Sequence, residues 1–187
     1  MLLIGCSPGC PVAEVITYNL PPNSMALVPY SLGQTMTFEG PNGALRPLEV
    51  IRIERDSLSL DACEDCCVWE QGVVQSWRIR PEVGYPRLFI SLSNYGPDLL
   101  DRRVAWSIQV DDLAFAMVWV DSIDCALPPL TCRDSVVVAG NTYRDVWELE
   151  MTEDATFDTA QANQIWYAPE VGVLRVDYSD GSNWQLR

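Results

Sequence analysis

Hydrophobic residues in this chain recur mainly at every second position or in short continuous runs. Gly, Pro, Asn or Asp cut the pattern at intervals of about 8–12 residues. A strand turns successive side chains to opposite faces, so a period of two lays one apolar face against a core, which no helix of this spacing could do. The expectation is a mainly β fold: antiparallel strands in one curved sheet, a half-barrel or a sandwich, with at most one or two short helices. Predicted strands are Val15–Tyr18, Thr35–Glu39, Leu45–Arg55, Cys67–Arg80, Arg87–Leu92, Val104–Val110, Leu113–Asp121, Ser135–Val138, Thr142–Met151, Gln164–Tyr167, Val173–Tyr178 and Asn183–Leu186.

The connections carry their own chemistry. Asn42-Gly43, Asp180-Gly181 and Gly140-Asn141 tolerate positive φ and suit tight hairpins, so the strands they join should be antiparallel. Pro21-Pro22 and Pro128-Pro129 mark loops, because proline cannot donate to a strand ladder. Two places admit a short helical turn: Leu58–Glu64, after Asp56-Ser57, and Thr156–Asn163, which opens on an N-cap-like Thr. No composition shift divides the chain. Residues 1–12 read as a signal remnant and tether, and residues 13–187 as a single β-rich domain.

Charge narrows the function. The 187 residues hold 26 acidic and 12 basic side chains, giving a net charge of −14, and every basic residue is Arg. Such a chain repels phosphate backbones, so no nucleic-acid partner is expected. Without His there is no imidazole base or metal ligand, and without Lys no Schiff base or phosphate-loop lysine. Carboxylate chemistry survives, as in glycan hydrolysis by two acids. Asp111-Asp112, Asp121 with Asp124, and Glu148 with Glu150 are the pairs to consider, and each reads more simply as a solvated strand or turn position. No catalytic residue is assigned.

The N-terminus supplies an address. Leu3-Ile4-Gly5-Cys6 has the order in which a bacterial lipoprotein signal ends, with Cys6 as the lipid attachment residue and Ser7-Pro8-Gly9 as the start of a tether. The alternative is that Cys6 is the first cysteine of an odd set. No later stretch approaches about 18 consecutive apolar residues, so the membrane is reached only through the lipid. Lipidation leaves an even number of cysteines, namely Cys10, Cys63, Cys66, Cys67, Cys125 and Cys132, as disulfide candidates in an exported protein.

Cys125 and Cys132 flank a short loop that a disulfide could close. Adjacent Cys66 and Cys67 rarely bond to each other. One cysteine of the Cys63, Cys66 and Cys67 cluster is expected to hold Cys10 and the other two to pair, while the sequence leaves open all 15 pairings of six cysteines. A zinc site of Cys63, Cys66, Cys125 and Cys132 is the rival, but its second half lacks the usual knuckle spacing and an exported setting oxidises thiols. A thioredoxin-like role lacks the surrounding βαβ pattern. No metal or cofactor is expected.

The C-terminal third carries a resemblance. Val138-Ala139-Gly140-Asn141-Thr142-Tyr143-Arg144-Asp145-Val146 leads to the stretch from Ile165-Trp166-Tyr167-Ala168-Pro169 through Val171-Gly172-Val173-Leu174-Arg175 to Tyr178. Asp180-Gly181 and Trp184-Gln185-Leu186 follow. This order resembles the closing strands of uncharacterised exported lipoproteins, many from Bacteroidota. It is carried mainly by residues 138–187, and Val28–Phe38 matches more loosely. The resemblance implies an antiparallel β fold and assigns no functional residue. The Cys63-to-Cys67 cluster departs from it.

Seven Trp and seven Tyr raise the possibility of stacking on a ligand, although Trp69, Trp77, Trp106, Trp119, Trp147, Trp166 and Trp184 nearly all fall on predicted strands, where burial is the default. Asp177 to Asn183 resembles a calcium loop but misses its spacing, and a hairpin turn explains it better. Three functions follow. The first is a non-enzymatic cell-envelope lipoprotein acting as a structural or interaction module, with an envelope protein as partner. The second is a carrier or binding protein for an apolar ligand or glycan, and the third a carboxylate-dependent glycan hydrolase. A filled core favours the first, a deep apolar cavity the second, and two facing carboxylates about 5–10 Å apart the third.

Overall fold

A computed structural model describes residues 14–59, 68–96, 104–120, 123, 125, 128–152 and 160–187. The strands are β1 (Glu14–Tyr18), β2 (Thr35–Glu39), β3 (Leu45–Ser59), β4 (Val68–Arg80), β5 (Leu88–Asn94) and β6 (Val104–Val110). They continue with β7 (Ala114–Trp119), β8 (Leu130–Val138), β9 (Asn141–Glu150), β10 (Ala162–Ala168), β11 (Gly172–Tyr178) and β12 (Asn183–Leu186). One helical turn, α1 (Pro22–Met25), lies between β1 and β2.

All twelve strands share one sheet, which runs β7-β6-β5-β4-β3-β2-β12-β11-β10-β9-β8 with β1 beside β4. Two meanders make it up, β2 to β7 and β8 to β12, and two seams join them. At the first, β12 pairs with β2 through Gln185↔Glu39 and Leu186↔Phe38. At the second, Phe115 of β7 exchanges backbone hydrogen bonds of 3.3 and 2.8 Å with Thr152, just past β9. The sheet is thus nearly closed into a barrel. Closure covers edges that an open sheet would leave to pair with other chains.

The period-two pattern decides what fills the interior. Phe38, Leu48, Ile79, Ile90, Leu92, Trp106, Ile108, Leu149, Ile165 and Tyr167 all turn inward and are fully buried. Trp106 is central: its ring centroid lies 4.8 Å from Tyr167 and 5.8 Å from Trp147, in the tilted and edge-on arrangements that aromatic quadrupoles favour. The segment between β1 and β2 covers one end of this core. Val28 and Tyr30 are buried within it, the Tyr167 hydroxyl donates to the Leu27 carbonyl at 2.5 Å, and the Tyr30 hydroxyl accepts from the Val173 N–H at 2.6 Å. A smaller cluster of Val138, Val146, Ala168 and Leu174 packs separately.

The mainly β expectation holds, with differences that have local causes. Leu58 and Ser59 continue β3 and do not open a helical turn, because β4 residues Gly72 and Gln71 pair with them. Ala162 and Asn163 belong to β10, where Ala162 pairs with Tyr178, so the expected helix over Thr156–Asn163 does not extend to its end. Ala160 and Gln161 are irregular, and residues 60–64 and 156–159 of the two predicted turns lie outside the described residues. The helical turn forms instead at Pro22, whose fixed φ suits a first helical position.

β8 begins five residues earlier than expected, at Leu130, which is buried against the core. The turn expected at Gly140-Asn141 centres one residue earlier, on Ala139 and Gly140, both at positive φ. One pairing is parallel: β1 runs alongside β4 from Glu14↔Val68 to Tyr18↔Gly72.

Candidate functional site

One barrel end is built from hairpin turns, and a cleft of about 320 Å³ opens among them. The β4–β5 connection contributes Tyr85, the β6–β7 turn Asp111 and Leu113, the β11–β12 turn Ser182, and the strands Tyr178 and Trp184. Asp111 and Asp112 both take positive φ, 56° and 63°, in the three-residue connection between the paired Val110 and Ala114, where the Leu113 N–H donates back to the Val110 carbonyl at 3.1 Å. That turn holds the Asp111 side chain toward the cleft, where its carboxylate accepts from the Tyr178 hydroxyl at 2.6 Å and from the Arg87 N–H at 2.7 Å. Because Tyr178 ends β11 and Asp111 follows β6, the first of these bonds links the two meanders across the barrel mouth.

Arg46 fixes the other side of the mouth. Its Nη1 donates to the carbonyls of Val83 and Tyr85 at 3.0 and 3.2 Å, and its guanidinium stacks 5.0 Å from the centroid of the Trp184 ring. The loop so held exposes Val83 (80%) and Tyr85 (55%), and Leu45 (62%) lies on the adjacent hairpin. Val83 and Tyr85, exposed on one loop of an acidic protein, mark a contact surface more than scattered apolar residues do.

Burial raises the Asp111 carboxyl above the usual aspartate value, although hydrogen bonds from Tyr178 and Arg87 pull it down. Burial also raises the Tyr178 phenol, with the Asp111 charge adding to the rise, so it remains the donor of the pair. A carboxyl that holds its proton more tightly in the native state contributes its full stabilisation only below its unfolded value, and loses it as pH rises through the folded value. Asp111→Asn keeps a residue that accepts positive φ and removes this titration. Its stability relative to wild type is therefore expected to rise from acid toward neutral pH, read from urea midpoints at several pH values. A difference that stays constant with pH would refute the assignment.

The residues singled out in the sequence fall in different places. Cys125 and Cys132 are joined by a disulfide with a Cα–Cα distance of 5.1 Å, so neither sulfur is a free thiolate for the zinc alternative. Cys6, Cys10, Cys63, Cys66, Cys67, Asp121 and Asp124 lie outside the described residues. Asp111 and Asp112 diverge, the first lining the mouth and the second a cleft on the outer wall. Glu148 accepts from Arg133 at 2.6 Å and from Gln164 at 2.7 Å, so both its oxygens are engaged, while Glu150 is exposed.

Asp180 organises a hairpin turn, accepting from the N–H and hydroxyl of Ser182 at 2.9 and 2.6 Å. Trp77, Trp106, Trp147 and Trp184 are buried, as strand placement implies. Sequence reasoning missed Arg46 and Tyr85 as mouth residues. The Gly84-Tyr85-Pro86 turn was the available signal. Among the described residues no cluster of three metal-ligating side chains occurs, and no helix is long and apolar enough to cross a membrane. Comparisons with protein-family models, curated proteins and solved structures find no match to this chain.

Proposed function

We propose that this chain is a non-enzymatic lipoprotein of the bacterial cell envelope, anchored through Cys6 and acting as an interaction or structural module. The observation that carries this reading is the filled barrel interior: large side chains from all around the wall meet at Trp106, Trp147 and Tyr167. A carrier of apolar cargo needs that volume empty. Contact chemistry is instead gathered outside, at the mouth loop that exposes Val83 and Tyr85. The absence of His and Lys and the resemblance over residues 138–187 support the same reading.

The test uses the protein expressed with its natural upstream region in a bacterium. Intact mass is expected to show an acyl adduct on Cys6, and crosslinking in native membranes to recover a stoichiometric envelope protein. A retained, unmodified Met1 overturns the anchor. Crosslinked samples holding only the monomer overturn the module.

A second reading has one specific support. Tyr85, Tyr178 and Trp184 line the mouth cleft beside the Asp111 carboxylate, a combination that stacks on and hydrogen-bonds a sugar. Quenching of tryptophan fluorescence by a neutral oligosaccharide, lost in Tyr85→Ala, would favour it.

A further inference from the structure

The outer wall of the β3–β6 region gathers arginines in an order that opposes folding. Arg78 and Arg80 point outward from β4, alternating with buried Trp77 and Ile79. Arg78 stands opposite Arg52 of β3. Arg87 stands beside Arg80, one step beyond the Ile79↔Leu88 pair, while on its other side Arg80 faces Glu49 of β3 without forming an ion pair. Like charges directly opposite each other destabilise a sheet. With 26 acidic residues for 12 arginines, a shortage of carboxylates does not explain the arrangement.

Arg52 is satisfied by Glu54 at 2.5 Å. Among the described residues, Arg78, Arg80 and Arg87 have no carboxylate within ion-pair distance. Rings hold two of them instead: Arg78 lies 5.5 Å from the Phe89 centroid and Arg87 5.4 Å from that of Tyr85. A guanidinium steered by an aromatic face keeps its N–H fork free for an incoming carboxylate. The three arginines line an open cleft of about 320 Å³ whose one acidic side chain is Asp112.

The patch continues beyond the cleft. The pairings Arg52↔Arg78, Arg78↔Phe89, Phe89↔Gln109 and Gln109↔Phe115 form one row across β3 to β7. Phe115 is 44% exposed and Ile51 38%. Four strand spacings make this row about 19 Å long, the span of about six residues of extended chain. A small anion fills only the cleft, and a nucleic acid brings dense charge toward a strongly acidic protein.

We propose that this strip docks an extended, acidic segment of a partner polypeptide, whose carboxylates pair with Arg78, Arg80 and Arg87 while its apolar side chains cover Phe89 and Phe115. The proposal rests on the module reading and names its docking surface. A fluorescent six-residue peptide alternating Glu and Val tests it against the full chain by anisotropy. Binding is expected to weaken as salt rises, and to fall at least tenfold in the triple variant Arg78→Gln, Arg80→Gln, Arg87→Gln.

That variant removes the Arg52–Arg78 and Arg80–Arg87 like-charge neighbours together with the Arg80–Glu49 cross-strand pair, so its melting temperature should stay near that of wild type. Should it melt lower, a Lys-Val peptide makes the same test on the wild-type chain alone. Equal binding of the Glu-Val and Lys-Val peptides, or unchanged binding by a folded triple variant, overturns the proposal. So does tighter binding of a single-stranded oligonucleotide or displacement of the peptide by equimolar inorganic phosphate. An envelope partner captured equally by the triple variant overturns the strip and leaves the module standing. Salt-sensitive peptide binding without any envelope partner supports the strip and removes the module.

Discussion

Trp106→Ala is expected to destabilise the protein by about 3–5 kcal/mol, the range for emptying a fully buried tryptophan site. Trp106 has no exposed surface and lies between Trp147 and Tyr167. Its neighbours cannot collapse into the space cheaply, because the barrel wall holds each on a separate strand and the Tyr167 hydroxyl is tied to Leu27. Trp106→Phe is the informative partner. The buried indole N–H lies near Tyr167 without the geometry of a hydrogen bond, and it has no other acceptor among the described residues. Removing that donor recovers part of the desolvation cost and offsets part of the lost volume. Urea unfolding should therefore rank wild type above Phe and Phe well above Ala. An Ala variant within about 1 kcal/mol of wild type would mean that the interior is not packed around this ring.

Gly72→Ala is expected to match or exceed the usual overpacking cost of about 1–3 kcal/mol. A Cβ at Gly72 would lie 1.6 Å from the Asn94 carbonyl oxygen. Backbone cannot rotate out of the way as a side-chain tip can, so β4 or the end of β5 must move. The position is a crossing point. β5 pairs with β4 up to Ser93↔Val74, and β1 takes the place beside β4 up to Tyr18↔Gly72. Asn94 links the two by donating to the Asn19 carbonyl at 2.8 Å and accepting from the Gly96 N–H at 2.9 Å. Hydrogen exchange should show protection lost first at β1 and the end of β5. Unchanged protection there, with a melting temperature near wild type, would refute the tight crossing.

Strand positions were legible wherever burial alternates on a single strand. Thr35–Glu39, Val104–Val110 and Asn183–Leu186 match to the residue. Legibility failed where a partner overrode local propensity. Leu58 reads as the start of a helical turn only until Gly72 is seen opposite it. The mouth was less legible than the strands. Asp111-Asp112 showed as an acidic pair, but only the turn's positive φ sends one carboxyl toward Tyr178 and leaves the other on the outer wall. Arg46 gave no signal, since its partners are backbone carbonyls 37 and 39 residues away.

By itself the sequence determined the class of structure: a period of two, turn residues at the hairpins and enough apolar side chains to close a core make β meanders. It also determined the chemical limits, since a chain without His or Lys offers no imidazole base and no lysine amine and leaves acid–base work to carboxylates. Tertiary structure decided which meander edges meet, that Trp106 and Tyr167 fill the barrel, and that Arg78 faces Arg52. The physical reason is range. Alternation and turn chemistry act between residues a few positions apart, whereas the β12–β2 seam joins Gln185 to Glu39 and repays its loop-closure entropy only once the common core has formed.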